Sequence, residues 1–313
     1  MSRLRLPTGG LWSHKDFMKL WTGQSISEVG SQVSQLAIPW LAAVELHASP
    51  IEFSLLGVLG FLPFIIFALP AGVWVDRLSR RRILIVGDAS RAVLLALIPV
   101  LWALGVLQLW HLFVISFVVG IFTVFFDVAY QSYLPALIDR GDLVDGNAKL
   151  QLTASVAQVA GPSVSGGLIA AITAPYAILA DAASYVVSTA FMVRMRHREN
   201  LAQRAAGEPH PKMWPQVKEG LRWVFGSPIL RAIAGCTGWS NFFGQVELAI
   251  FLLYAVRTLG MSAVELGVVF AIGAAGSIAG ALVANRLQKA AGVGPAIVGY
   301  AVLFSALNRL PPG

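Results

Sequence analysis

Glu28 is the residue whose type and neighbours point most directly to chemistry. Gln24 and Ser27 precede it by four and one positions, and Ser31, Gln32 and Gln35 follow it by three, four and seven. On a helix these side chains form one broad polar stripe around a carboxylate. The stripe lies inside an otherwise apolar run, residues 17–45. A carboxylate there is costly to leave ionised and unpaired, so it takes up a proton when closed off and releases it when water arrives. Proton coupling is one expectation for Glu28, and a structural hydrogen bond between helices is the other. Asp88 and Arg91 lie three positions apart, share a helix face and can pair. Asp127 and Glu247 are further acids in apolar runs and further proton-coupling candidates. Asn241, Gln245 and Trp239, with Gln24, Gln32 and Gln35, are candidates to line a substrate cavity. Asp181 and Tyr185 share a face of their run and are expected to pack.

No enzymatic pattern accompanies these residues. The chain has no Gly-x-x-x-x-Gly-Lys-Ser/Thr loop, no His-Glu-x-x-His and no Gly-x-Ser-x-Gly, the spacings that phosphate, zinc and nucleophile chemistry require. No catalytic residue, cofactor or metal site is expected. Energy for any transport must come from an ion or substrate gradient rather than from ATP hydrolysis by this chain. Cys236 is the single cysteine, which excludes an intramolecular disulfide and a cysteine-based metal cluster.

Composition says what kind of elements hold the acids. The chain is 57% hydrophobic and 12% charged, with a mean hydropathy of +0.71. A soluble domain carries about 25% charged residues. The expectation is an all-α, polytopic membrane helix bundle in contact with lipid. The net charge of +7 does not point to nucleic acid, because the cations flank apolar runs. Nine runs are long enough to span a bilayer: 17–45, 51–75, 83–106, 108–134, 148–172, 174–194, 229–256, 261–284 and 293–310. The first is expected to be an uncleaved span rather than a signal peptide.

The cations orient these runs. The N-terminal tail, the turn after the second span, the segments after the fourth and sixth, and the end of the eighth hold 20 of the 23 Lys and Arg. The intervening loops 46–52, 105–110 and 171–176 hold none. Positive charge marks the cytoplasmic side, so a cytoplasmic N-terminus is expected. Residues 1–194 read as an N-terminal bundle of six helices and 195–228 as a cytoplasmic linker. Trp214, Val217, Leu221, Val224 and Phe225 give that linker an amphipathic helix, expected either to lie on the cytoplasmic membrane surface or to be a solvated loop helix. Residues 229–313 read as a partial second bundle of about three spans. The halves repeat: Thr22-Gly23, Gln32-Val33 and Leu36-Ala37-Ile38 recur in order as Thr237-Gly238, Gln245-Val246 and Leu248-Ala249-Ile250.

Several motifs carry a resemblance. Gly72-Val73-Trp74-Val75-Asp76-Arg77-Leu78-Ser79-Arg80-Arg81-Arg82 resembles the loop between helices 2 and 3 of the major facilitator superfamily, with Ser79 where that pattern usually has Gly. Gly161-Pro162-Ser163-Val164-Ser165-Gly166-Gly167 is similar to the span-5 motif of its drug antiporters, with an extra residue between Pro and the paired glycines or Ser in place of one. Phe125-Phe126-Asp127-Val128-Ala129-Tyr130-Gln131-Ser132-Tyr133-Leu134-Pro135, followed by Asp145-Gly146-Asn147-Ala148, resembles the branch with macrolide efflux proteins and the enterobactin exporter. The resemblance implies the major facilitator fold and a monomeric secondary transporter of the plasma membrane. By alternating access it would export amphipathic small molecules, of drug, macrolide or siderophore type, against protons. It also implies a conformational latch at Gly72, Asp76, Arg77, Arg80, Arg81 and Arg91, and helix flexing at Gly161, Pro162, Gly166 and Gly167. The family has twelve spans, so truncation after the ninth is expected. A transport-inactive membrane fragment with a structural or regulatory role is the alternative reading.

Overall fold

The computed structural model describes residues 10–196, 213–292 and Gly299. Apart from Gly299, the ninth run, 293–310, and residues 197–212 of the linker lie outside the described residues. Every regular element described is helical. α1 (Lys15–Trp40) continues into a π-helical turn, Leu41–Glu45. It is followed by α2 (Pro50–Arg77), α3 (Arg80–Ala103), α4 (Leu109–Leu137), α5 (Leu143–Ile172) and α6 (Ala174–Val193). After the linker come α7 (Met213–Gly226), α8 (Pro228–Arg257) and α9 (Ala263–Ala291). α7 falls where amphipathic spacing predicts a helix.

Seven of these helices are long and apolar enough to cross a membrane: α2 to α6, α8 and α9. α1 differs because its glutamines, serines and Glu28 lower its apolarity, and the fold compensates by enclosing it. Its main neighbours are α5 and α6. α2, by contrast, leaves much of its surface bare, with Ile65 71% exposed; in a bilayer that surface meets lipid. The described bundle of six helices is interlocked rather than sequential. α3 pairs with α4 and α6, and α4 with α2, while α2 and α3 barely touch beyond the turn that joins them.

Local chemistry sets the helix starts. Ser49 caps α2: Glu52 N donates to its hydroxyl (3.3 Å), and Ser49 N donates to the Glu52 carboxylate (2.8 Å). Ser262 and Glu265 repeat this box before α9, at 3.3 and 2.7 Å. Lys15 to Pro228 and Pro50 to Ala263 are both steps of 213 residues. α8 and α9 are therefore the counterparts of α1 and α2 in a parallel repeat.

The two halves meet toward the ends opposite the cationic turns. At the α5–α9 crossing, a methyl on Gly166 would strike the carbonyl of Ala263, and one on Gly267 the carbonyl of Pro162. Backbone thus lies on backbone, as small residues permit in membrane helices. Arg257, at the end of α8, donates to the carbonyls of Ala43 (3.3 Å) and Ala48 in and just beyond the π-helical turn. Leu252 and Ala263 join the apolar core formed by α1, α2, α3, α4, α5 and α6.

Candidate functional site

The polar stripe of α1 opens onto a cavity. Gly30 seats α1 against α6 so closely that a Cβ there would collide with the Ser184 side chain. Gln32 is clamped by Gly161 of α5 on another side. With two flanks fixed, Gln24, Ser27, Glu28, Ser31 and Gln35 face a space of about 440 Å³. Arg91 of α3, Asp127 of α4, and Asp181 and Tyr185 of α6 bring the charged and phenolic groups to its wall.

Arg91 organises this wall. Its guanidinium pairs with Asp88, which is wholly buried beneath it. It donates to the Tyr185 hydroxyl at 3.3 Å. It also lies between two rings, 4.3 Å from the centres of both Phe126 and Tyr185. Phe126 stacks in turn on Tyr130, one turn along α4, with centroids 5.9 Å apart. A planar cation between two aromatic faces is held by its shape as well as its charge. The Tyr185 hydroxyl also shares a hydrogen bond with Ser31 of α1 (2.8 Å). A single column, Tyr185–Arg91–Phe126–Tyr130, thereby links α6, α3 and α4 and touches the Glu28 stripe.

A second lobe of about 420 Å³ continues from the first. Ser34, Gln35, Ile38, Gly60 and Ser116 line both. Its remaining wall is largely apolar: Phe53 and Leu56 of α2, Leu248 and Leu252 of α8, and Phe270 of α9. Gln32, Gln158 and Gln245 are its polar points. The two adjoining spaces therefore give an acid-rich end within the first half and an apolar end between the halves. Such a pair accommodates a molecule with one polar and one apolar face.

The sequence candidates divide among several places. Glu28, Asp127, Gln24 and Gln35 meet at the acid-rich lobe; Gln32, Gln35, Gln245 and Pro162 meet at the apolar lobe. Asp88 lies behind Arg91 and lines neither. Glu247, Asn241 and Trp239 are exposed along α8, outside both lobes. There Asn241 donates to the Thr237 carbonyl (2.8 Å), and Trp239 packs on Phe243 (4.7 Å). Asp181, expected to pack, is buried at the cavity wall. Gly72 and Gly167 have open space where a side chain would go, whereas Gly161 and Gly166 are close-approach points.

The latch candidates separate into two groups. Arg80 donates to the Ser132 carbonyl of α4 (2.7 Å) and lies 3.8 Å from Asp76. Arg81 donates to the carbonyls of Met192, Val193 and Met195 at the end of α6 (2.8–3.2 Å). These bonds tie the cationic turn to its own half. Arg91 belongs instead to the buried column. Arg77 stands at the end of α2. Ser116 and Thr123 also line the cavity and were not among the sequence candidates. Their signal was present: Ser116, Thr123, Asp127 and Tyr130 fall at i, i+7, i+11 and i+14 on α4, one helical face.

An interlocked membrane bundle with an internal parallel repeat and a buried amphipathic cavity defines a transporter-type architecture. The family of transmembrane secretion effectors, MFS_3, matches residues 10–310, and the chain belongs to it. This places it in the major facilitator superfamily, whose members are transporters rather than enzymes. It is 27% identical over 218 residues to the uncharacterized MFS-type transporter YfiS of Bacillus subtilis, covering 70% of this chain and 51% of YfiS. It is 26% identical to the multidrug efflux pump Tap of Mycolicibacterium fortuitum over 90% of this chain and 71% of Tap. Macrolide efflux protein A of Streptococcus pyogenes is 29% identical over 49% of this chain and 38% of that protein. The chain thus spans about half the length of YfiS and 71% of Tap. Among solved structures, a bacterial homolog of the human lysosomal transporter Spinster superposes with a TM-score of 0.66 at 15% identity, covering 88% of this chain and 62% of that one. At that identity the match speaks for the fold.

Proposed function

We propose that this protein exports amphipathic small molecules by alternating access, driven by protons moving the other way, with its N-terminus in the cytoplasm of a cell whose plasma membrane it spans. The observation that carries the reading is the pair of adjoining lobes, one acid-rich and one apolar. An apolar wall shared by both halves can hold the greasy face of a substrate and register their relative movement. The acid-rich lobe can hold its polar face. Efflux relatives for multidrug and macrolide substrates support this substrate class.

Coupling needs a carboxylate whose protonation and substrate contact exclude each other. Glu28 and Asp127 line the same lobe, so a proton on either removes a negative charge from the surface that binds substrate. Arg91 is already engaged by Asp88, which leaves the cavity acids to respond to protons or to a substrate. Alternating access follows if the α5–α9 crossing and the Arg257 contacts break when the outer side opens, while Arg80 and Arg81 keep the first half rigid. The 1–194 bundle, the linker and the second half are then the moving parts.

The test is transport by the protein reconstituted in liposomes. A radiolabelled macrolide is placed on one side and an opposing pH gradient is imposed. Uphill accumulation that collapses when a protonophore abolishes the gradient is the expected result. No macrolide movement with or without the gradient, from protein that binds the probe, would favour a transport-inactive membrane fragment.

A further inference from the structure

A third, smaller space touches Glu28 from behind. It measures about 190 Å³ and is bounded by α1, α4 and α5. Gln24 and Glu28, one helical turn apart, line both it and the acid-rich lobe. They form the partition between the two. Across the chamber stand Tyr130 of α4 and Asn147, Gln151 and Ala154 of α5. Asn147 is four residues from the start of α5, which places it about 6 Å from the helix end, and Glu28 is about 16 Å beyond Phe17 on α1. The chamber therefore reaches from near the cationic ends of the helices to the depth of Glu28.

Two buried polar atoms on its walls are orphans. Gln24 Oε1 and the Tyr130 hydroxyl have no hydrogen-bond partner among the described residues. Buried polar groups of native proteins are almost always satisfied, by water where protein does not reach. A space of this size, with a carboxylate, three amides and three hydroxyls on its walls, takes water readily. The hydroxyl is also held in position, because the Tyr130 ring stacks on Phe126, which carries the Arg91 guanidinium on its other side.

We propose that this chamber is a water-filled port through which Glu28 exchanges its proton with the cytoplasm, with Gln24 and Tyr130 anchoring the water. The inference rests on the proton-coupled reading of Glu28 and adds the route. The proton on the Glu28 carboxyl passes to a chamber water as that water donates one of its own onward, so charge moves with no bond to carbon changed. The substrate lobe lies on the other face of the same carboxylate, so substrate and proton approach Glu28 from opposite sides. The charged or titratable groups that face Glu28 are Arg91 on α3, Asp127 and Tyr130 on α4, and Asp181 and Tyr185 on α6; α5 presents only amides, a hydroxyl and apolar groups there.

The test uses the reconstituted protein with Cys236→Ser and Ala154→Cys. A small charged thiol reagent added to the cytoplasmic face should modify the cysteine, and modification should slow pH-driven macrolide uptake without abolishing macrolide binding. Tyr130→Phe should slow the pH-driven rate roughly three- to tenfold, the loss of about one hydrogen bond, with macrolide affinity and thermal stability unchanged, and Gln24→Leu should slow that rate by a similar factor. An unreactive Ala154→Cys in folded protein would overturn the port, as would full pH-driven rates in both Tyr130→Phe and Gln24→Leu. Failure of the coupling reading is separately visible, since Glu28→Gln would then retain pH-driven uptake whatever the chamber variants do.

Discussion

At the residue scale, the most consequential group is Arg91. It is buried, paired to Asp88 and flanked by two rings. Removing one member of a buried ion pair strands the other charge, at a cost of about 3–5 kcal/mol. Arg91→Ala should therefore lower the melting temperature of the purified protein markedly. The double replacement Asp88→Asn with Arg91→Gln should recover much of the loss. Additive destabilisation by the two single changes would show that the pair is not the source. The pairing of Asp88 with Arg91 was legible from their i,i+3 spacing. The column around Arg91 was not, because Phe126 and Tyr185 lie 35 and 94 residues away in sequence. Nothing in the local pattern distinguishes a ring that carries a cation from one that faces lipid. The place of Asp181 at the cavity wall was not legible for a similar reason, since α1, which packs against α6, lies about 150 residues away in sequence.

At the element scale, helix identity followed directly from apolar length and charge, and most described boundaries fall within about three residues of the apolar runs, while α5 starts five residues early and α9 continues seven residues past its run. What periodicity could not supply was which helix touches which. The motif Gly161-Pro162-Ser163-Val164-Ser165-Gly166-Gly167 suggested flexing, yet its glycines differ in role. Gly166 meets the Ala263 backbone, while Gly167 has open space. Gly166→Ala should thus destabilise the protein by about 1–3 kcal/mol through overpacking, read as a fall in melting temperature. Gly167→Ala should leave it unchanged or slightly raise it. Equal effects at both positions would remove the α5–α9 crossing as a tight contact between the halves. The matching capping boxes at Ser49–Glu52 and Ser262–Glu265 were visible in the sequence as a Ser-x-x-Glu pair 213 residues apart. They sharpen the repeat that the shared dipeptides indicated.

At the scale of the whole molecule, the cation asymmetry and the two-lobed cavity describe one machine viewed from outside and from within. Positive charge on one face predicts its orientation. In a background lacking Cys236, a cysteine at His47 should react with an impermeant thiol reagent applied outside cells, and one at Gln203 only after the membrane is opened. Outside labelling at Gln203 would invert the topology and with it the direction proposed for the Glu28 port. The overall bundle was legible because bilayer thickness dictates helix length. The cavity was only half legible, because a polar stripe shows that something polar faces it without saying whether that is a helix or a void. Whether Glu28 couples protons to the movement of substrate through that void is decided by reconstituted Glu28→Gln protein. Glutamine keeps the shape and hydrogen bonding but fixes the charge at zero. This variant should still exchange radiolabelled macrolide across the membrane at equal concentrations, yet no longer accumulate it against a gradient when a pH difference is applied. Uphill accumulation with unchanged pH dependence would contradict it.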